Sequence, residues 1–177
     1  MGIGKRRDTP NIIQRCNFDA RSGKMNRYDR KQDDVGEWTT NSVDITKTFE
    51  GIFDLPNMEI GYIAFPPGGQ PDFRMVPVGT DVGKPPSDNH KEGFRVKMKL
   101  TNGAGDDVRE FASTAKVVWQ ALDELHDAYL EGCAKHKGKL PIVRIAEVAQ
   151  VRIGSGTFYR PIFEITGWAK RPNDLTK

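Results

Sequence analysis

Gly93-Phe94-Arg95-Val96-Lys97-Met98-Lys99-Leu100 is the stretch from which the rest of the chain is read. Phe94, Val96, Met98 and Leu100 alternate with Arg95, Lys97 and Lys99. A strand has a side-chain period of two, so this segment buries one face and offers a row of three cations on the other. Downstream, residues 113–131 switch to helical spacing. Ala115, Val118, Leu122, Leu125 and Tyr129 step by three and four residues and form one stripe, with Trp119 beside it. Ser113 or Thr114 stands where a helix cap is wanted. Gly132 stands where the helix stops, and Lys135, His136 and Lys137 suit the negative end of its dipole. Residues 140–153 and 157–168 return to strand composition around the turn Gly154-Ser155-Gly156; the first reads as one bent strand or two short ones.

Working back from the central strand, residues 79–92 form a long polar loop, of the kind that is usually functional or mobile. Before it, 57–65 and 72–78 read as an antiparallel pair joined by the turn Pro66-Pro67-Gly68-Gly69-Gln70-Pro71, with Gly61 marking a bend. After it, Asn102-Gly103 favours a tight turn, and 108–112 pairs back on the central strand. A short strand is expected within 42–49. Residues 18–38 interleave Arg27, Tyr28 and Arg30 with other cations, a pattern that suits phosphates and bases. Trp38 is expected to pack on the core.

Charge is unevenly placed. Residues 1–31 hold nine Lys/Arg against three acids, whereas the whole chain is only +3 at pH 7. A basic arm on a near-neutral body points to a polyanionic partner. The organisation expected is a flexible basic arm over 1–17, a single domain over 18–172, and a short polar tail over 173–177. A chain of 177 residues buries roughly 70% of its unfolded surface and needs no metal or disulfide to fold. Cys16 and Cys133 are read as free reduced thiols. No run is apolar enough for a transmembrane helix or a signal-peptide core, so a cytoplasmic protein without a membrane partner is expected. No nucleophile elbow, phosphate loop, paired metal ligands or cluster of carboxylates with histidine is present in the sequence. The expectation is therefore a binding protein and not an enzyme, with no metal and no cofactor.

Counted from residue 57, the order is three strands (the third with a hairpin extension), a helix, and two strands. That is the order of the OB-fold, a five-stranded Greek-key barrel with a helix between strands three and four. The fold class expected is thus mainly β with one long helix, of OB type, with an N-terminal basic extension. Residues 93–100, Arg109-Glu-Phe-Ala-Ser-Thr-Ala115, Gly138-Lys-Leu-Pro-Ile-Val143, and Tyr159-Arg-Pro-Ile-Phe-Glu-Ile-Thr-Gly-Trp168 with Arg171-Pro172 carry a further likeness. Through them the chain resembles, over about residues 18–175, the OB-fold single-stranded DNA-binding proteins of tailed bacteriophages and prophages. The resemblance implies coating of single-stranded DNA in phage replication or recombination in the host cytoplasm. Its protein partners would be replication or recombination proteins, or further copies of itself as a homo-oligomer. Such proteins often end in an acidic tail that recruits partners; Asn173-Asp174-Leu175-Thr176-Lys177 holds one acid, so recruitment through a tail is not expected.

On this reading Arg27, Arg30, Arg74, Arg95, Lys97 and Lys99 contact phosphates, and Tyr28, Phe73, Tyr159 and Trp168 stack on bases. The alternative is a β-barrel adaptor or phage structural component that does not bind nucleic acid.

Overall fold

The computed structural model describes residues 13–105 and 107–175. It is mainly β, with ten strands and one long helix: β1 Arg15–Asp19, β2 Lys24–Gln32, β3 Trp38–Asp44, β4 Glu50–Phe53, β5 Glu59–Ala64, β6 Asp72–Pro77, β7 Lys91–Leu100, β8 Val108–Ser113, α1 Lys116–Gly132, β9 Lys139–Ile153 and β10 Gly156–Lys170. The strands form one open sheet in the order β10-β9-β4-β7-β8-β1-β2-β3, from which β5 and β6 branch at β7. Among the described residues every pairing is antiparallel except that of β1 with β8.

The alternation in β7 decides this arrangement. Phe94, Met98 and Leu100 are fully buried and Val96 is 1% exposed, while Arg95, Lys97 and Lys99 face the other way. Ten residues give β7 room for two partners along one edge. β5 takes Lys91–Arg95, β4 takes Met98–Leu100, and β8 runs along the opposite edge. Gly61 of β5 stands opposite Gly93 of β7, and each meets the backbone of its other neighbouring strand too closely for a side chain. A Cβ on Gly61 would lie 2.1 Å from the carbonyl oxygen of Arg74, and one on Gly93 would lie 2.5 Å from that of Ser113.

The buried side of β7 faces an aromatic centre. Phe163 of β10 meets Phe53, Phe111 and Phe49 with ring centroids 6.0, 6.2 and 6.3 Å away. The α1 stripe closes over it: Val118, Leu122 and Leu125 are buried, Ala115 and Tyr129 are partly buried, and Trp119 lies 5.9 Å from Phe94. Full burial of each such aliphatic side chain is worth about 1.5–3 kcal/mol. The β9–β10 ribbon curls round until the Tyr159 N–H donates to the Ala20 carbonyl at 2.7 Å, bringing β10 against the β1–β2 turn.

Several expectations need correcting. The helix begins at Lys116, not 113, because Ser113 ends β8 and its hydroxyl accepts the Ala115 N–H instead of capping a helical turn. The strand expected within 42–49 is displaced to β3 and β4, with a turn between them. Of the flexible arm expected over 1–17, residues 1–12 lie outside the described residues; residues 15–17 belong to β1. Among the strands counted from residue 57, the first (β5) lies between the second (β6) and the third (β7), and all of them belong to one open ten-stranded sheet with β1–β4.

Of the short polar tail expected over 173–177, residues 176 and 177 lie outside the described residues, and the rest is tied to the body. Leu175 is fully buried in a second small core with Ile52 and Leu140. Arg171 sets both terminal nitrogens on the Asp54 carboxylate at 2.7 and 2.9 Å, and Asp54 is 2% exposed. Asp174 pairs with Lys99. Leu175→Ala is expected to lower stability by about 2–5 kcal/mol in urea unfolding, as for other buried leucines; an unchanged midpoint would show that the tail contributes nothing. No helix among the described residues is long and apolar enough to cross a membrane.

Candidate nucleic-acid interface

The outer face of the sheet is assembled by register. Lys97 pairs across to Glu110, Glu110 pairs with Arg15 of β1, and Arg95 pairs with Glu59 and Ala112, so these side chains share one face. In the β1–β2 pair, Asn17 stands opposite Asn26; two residues on in each strand, Arg15 and Tyr28 extend the same face. β2 and β3 continue it with Tyr28 opposite Ser42, Arg30 opposite Thr40 and Gln32 opposite Trp38.

Rings and cations meet at two places on this face. Two guanidinium groups stand over the Phe73 ring, Arg95 at 4.4 Å and Arg15 at 5.0 Å from its centroid. Arg30 stands 5.0 Å over the Trp38 ring, which is 56% exposed. Exposed pairs of this kind are worth about 0.5–1 kcal/mol each. Residues 30–42 are exposed throughout, so the end of the β2–β3 ribbon stands clear of the body. Its tip is closely tied. Asp33 Oδ1 accepts the N–H groups of Val35 and Glu37 at 3.0 and 2.8 Å, and Gln32 donates to the Gly36 carbonyl at 3.0 Å.

The charges are partly compensated. Arg95 pairs with Glu59 at 3.0 Å and Arg15 with Glu110 at 3.9 Å. Lys97 and Arg30 have no acidic partner among the described residues. A groove of about 470 Å³ runs past Arg95 and Lys97 with Glu59, Glu110 and Asn57 along it. Partly exposed ion pairs contribute little to stability, so these cations can exchange partners at small cost.

Of the ten residues expected to contact nucleic acid, Tyr28, Arg30, Phe73, Arg95 and Lys97 come together on this face. The others are placed elsewhere. Arg27 is spent on Asp29 at 3.1 Å and on the Ala104 carbonyl at 2.6 Å. Lys99 holds Asp174 of the tail. Arg74 pairs with Asp72 at 3.1 Å on the opposite side of β6 from Phe73. Tyr159 is partly buried against the β1–β2 turn, where a Cβ on Gly23 would lie 3.0 Å from its ring. Trp168 lies flat on His136, 4.6 Å between centroids and 9° between planes; the missing side chain of Gly132 leaves room for it, since a Cβ there would come within 2.6 Å.

Arg15 and Trp38 belong to the face, although the sequence places the first in a flexible arm and the second in the core. A signal for Trp38 exists in the sequence: residues 30–42 have almost no apolar neighbours with which to bury it. For Arg15 there is none, because its position depends on the parallel pairing of β1 with β8.

One titratable cluster also escapes sequence reasoning. His90 reaches Asp72 Oδ2 at 3.0 Å through Nε2 and Ser87 Oγ at 2.7 Å through Nδ1. The acceptor-only Asp72 carboxylate requires a proton on Nε2; Nδ1 accepts from Ser87 when the ring is neutral and donates to it when the ring is charged. The His90 hydrogen bond is the leading reason the Asp72 carboxyl lies below its ordinary range. The order is that of a charge-relay chain, but Asp72 is half exposed and Ser87 lines neither the groove beside Arg95 nor the one between Phe65 and Ile153. Its evident effect is structural: with Tyr62 Oη donating to the Gly83 carbonyl at 2.8 Å, it pins the long 79–90 loop to β5 and β6. Cys16 is no nucleophile either, since burial pushes its thiol up to about 12.

Mainly β with a single long helix is the class the fold defines. Comparison of the chain with protein-family models, with curated proteins and with solved structures found no match.

Proposed function

We propose that the chain is a sequence-tolerant single-stranded DNA-binding protein. One observation carries the reading: Arg15, Arg95, Lys97 and Arg30 share a sheet face with the rings of Phe73, Tyr28 and Trp38. Cations on such a face neutralise phosphates, and exposed rings stack bases at about 1–3 kcal/mol per base. Action in phage DNA replication or recombination follows from the resemblance in the sequence. The finer reading of the fold is an OB-related barrel opened by added strands. The helix between the β7–β8 hairpin and β9, and the bond from Tyr159 to Ala20, support it; the central place of β5 is its departure from that pattern.

The test is a titration with oligo-dT and with duplex DNA over a range of salt concentrations, followed by Trp38 fluorescence. Binding is expected to favour the single strand, with a log K against log salt slope of roughly −2 to −3 for the four cations. Tight binding to neither nucleic acid would overturn the proposal and leave the adaptor reading.

A further inference from the structure

Large apolar side chains more than half exposed are few among the described residues, and two of them border one groove. Phe65 follows β5, Ile153 ends β9, and each is 52% exposed. The groove holds about 440 Å³, a volume within the ordinary range of ligand sites. Phe158 and Ala112 line it as well, and the buried Phe18 forms part of its floor. Four separate parts of the chain (the end of β1 with its turn, the residue after β5, the β8–α1 junction and the β9–β10 tip) converge to build it. Apolar surface concentrated in a concavity marks an interaction site far better than the same residues scattered singly.

The rim supplies a charge. Arg21 and Lys116 line the groove, are exposed, and have no acidic partner among the described residues. The one rim acid, Asp19, is occupied within its own turn by the Arg21 N–H at 2.9 Å and the Ser22 hydroxyl at 3.0 Å. The first turn of α1, which forms one wall, carries no acidic side chain. An apolar floor under a cationic rim is complementary to an extended peptide that sets bulky apolar side chains beside carboxylates.

We infer that this groove is a docking site for an acidic, apolar linear segment of a partner protein, with Phe65 and Ile153 gripping its apolar side chains and Arg21 and Lys116 its carboxylates. The groove shares Asn17 and Ala112 with the margin of the Arg95–Lys97 face, but Arg15, Arg30, Arg95 and Lys97 do not line it, and the inference does not depend on the nucleic-acid reading.

The probe is a random dodecapeptide display library selected on the full chain. The enriched sequence is then synthesised with a fluorescein label and titrated by anisotropy. Enrichment of Leu, Ile, Phe or Trp flanked by Asp or Glu is expected. The double variant F65S/I153S should lose about tenfold or more in affinity, the effect of removing an anchoring side chain. The rim variant R21E/K116E should lose several-fold while keeping the wild-type melting temperature. No enrichment, enrichment of basic flanks, equal affinity for F65S/I153S, or displacement of the peptide by oligo-dT would each overturn the inference.

Discussion

Replacing Arg30 and Lys97 by Glu and Trp38 by Ala in one chain is expected to abolish measurable binding to oligo-dT. Neither cation has an acidic partner among the described residues, so their reversal breaks no ion pair there. Each phosphate left without its cation lowers the salt slope by about 0.7, and the reversed charges repel the strand. Loss of the Trp38 ring takes away about 1–3 kcal/mol of stacking, a factor of roughly 5 to 150. Together these exceed a hundredfold. Lys99→Glu is the contrasting control. Because Lys99 is held by Asp174, its reversal should loosen the tail and leave affinity within about threefold. Equal affinity of the triple variant and the unaltered chain, measured at one salt concentration, would show that DNA does not bind on this face.

Asp29→Ala is expected to destabilise the fold by about 3 kcal/mol, a large share of the 5–15 kcal/mol typical of a domain. Asp29 sits between Arg109 at 2.6 Å and Arg27 at 3.1 Å, and the Arg109 side chain is only 5% exposed. Arg109 also reaches Asp107 at 2.7 Å and the Tyr28 carbonyl at 2.8 Å. Taking away one carboxylate therefore leaves a buried guanidinium short of counter-charge. The same ion pair sets an acid limb. Burial tends to raise the Asp29 carboxyl, but the hydrogen bonds from Arg109 and Arg27 outweigh it and hold the group below its ordinary range. A carboxyl depressed in the folded state stabilises above its unfolded value, about 3.9, and that contribution is lost as pH falls through the lower folded value. Chemical denaturation at a series of pH values should show the wild type and Asp29→Asn converging below about pH 4. Parallel curves would mean that Asp29 does not carry this linkage.

What can be read from the sequence is local. The two faces of β7, the α1 stripe and the β5–β6 hairpin each declare themselves within a dozen or so residues through a period of two or about 3.6. What cannot be read depends on pairings between distant segments. Arg15 joins the cationic face only because β1 lies along β8, nearly a hundred residues away in the chain. Tyr159 and Trp168 have the composition of stacking residues, yet one is packed against the Gly23 turn and the other against the end of α1. Lys99 alternates faultlessly with Met98 and Leu100, and nothing in that alternation announces Asp174. Strand periodicity assigns a face; only the register of neighbouring strands says who shares it.

The parallel pairing of β1 with β8 has a kinetic consequence. β7 and β8 are joined by a short turn and can zip together within microseconds. β1 has no partner strand for its outer edge until β8 exists, and closing so long a loop is slow. On a ribosome β1 is therefore expected to wait until β8, nearly a hundred residues later, has been made before it docks on that edge. Phe73 gains its second guanidinium at that moment, so the face proposed to bind DNA stays incomplete until β8 has been made.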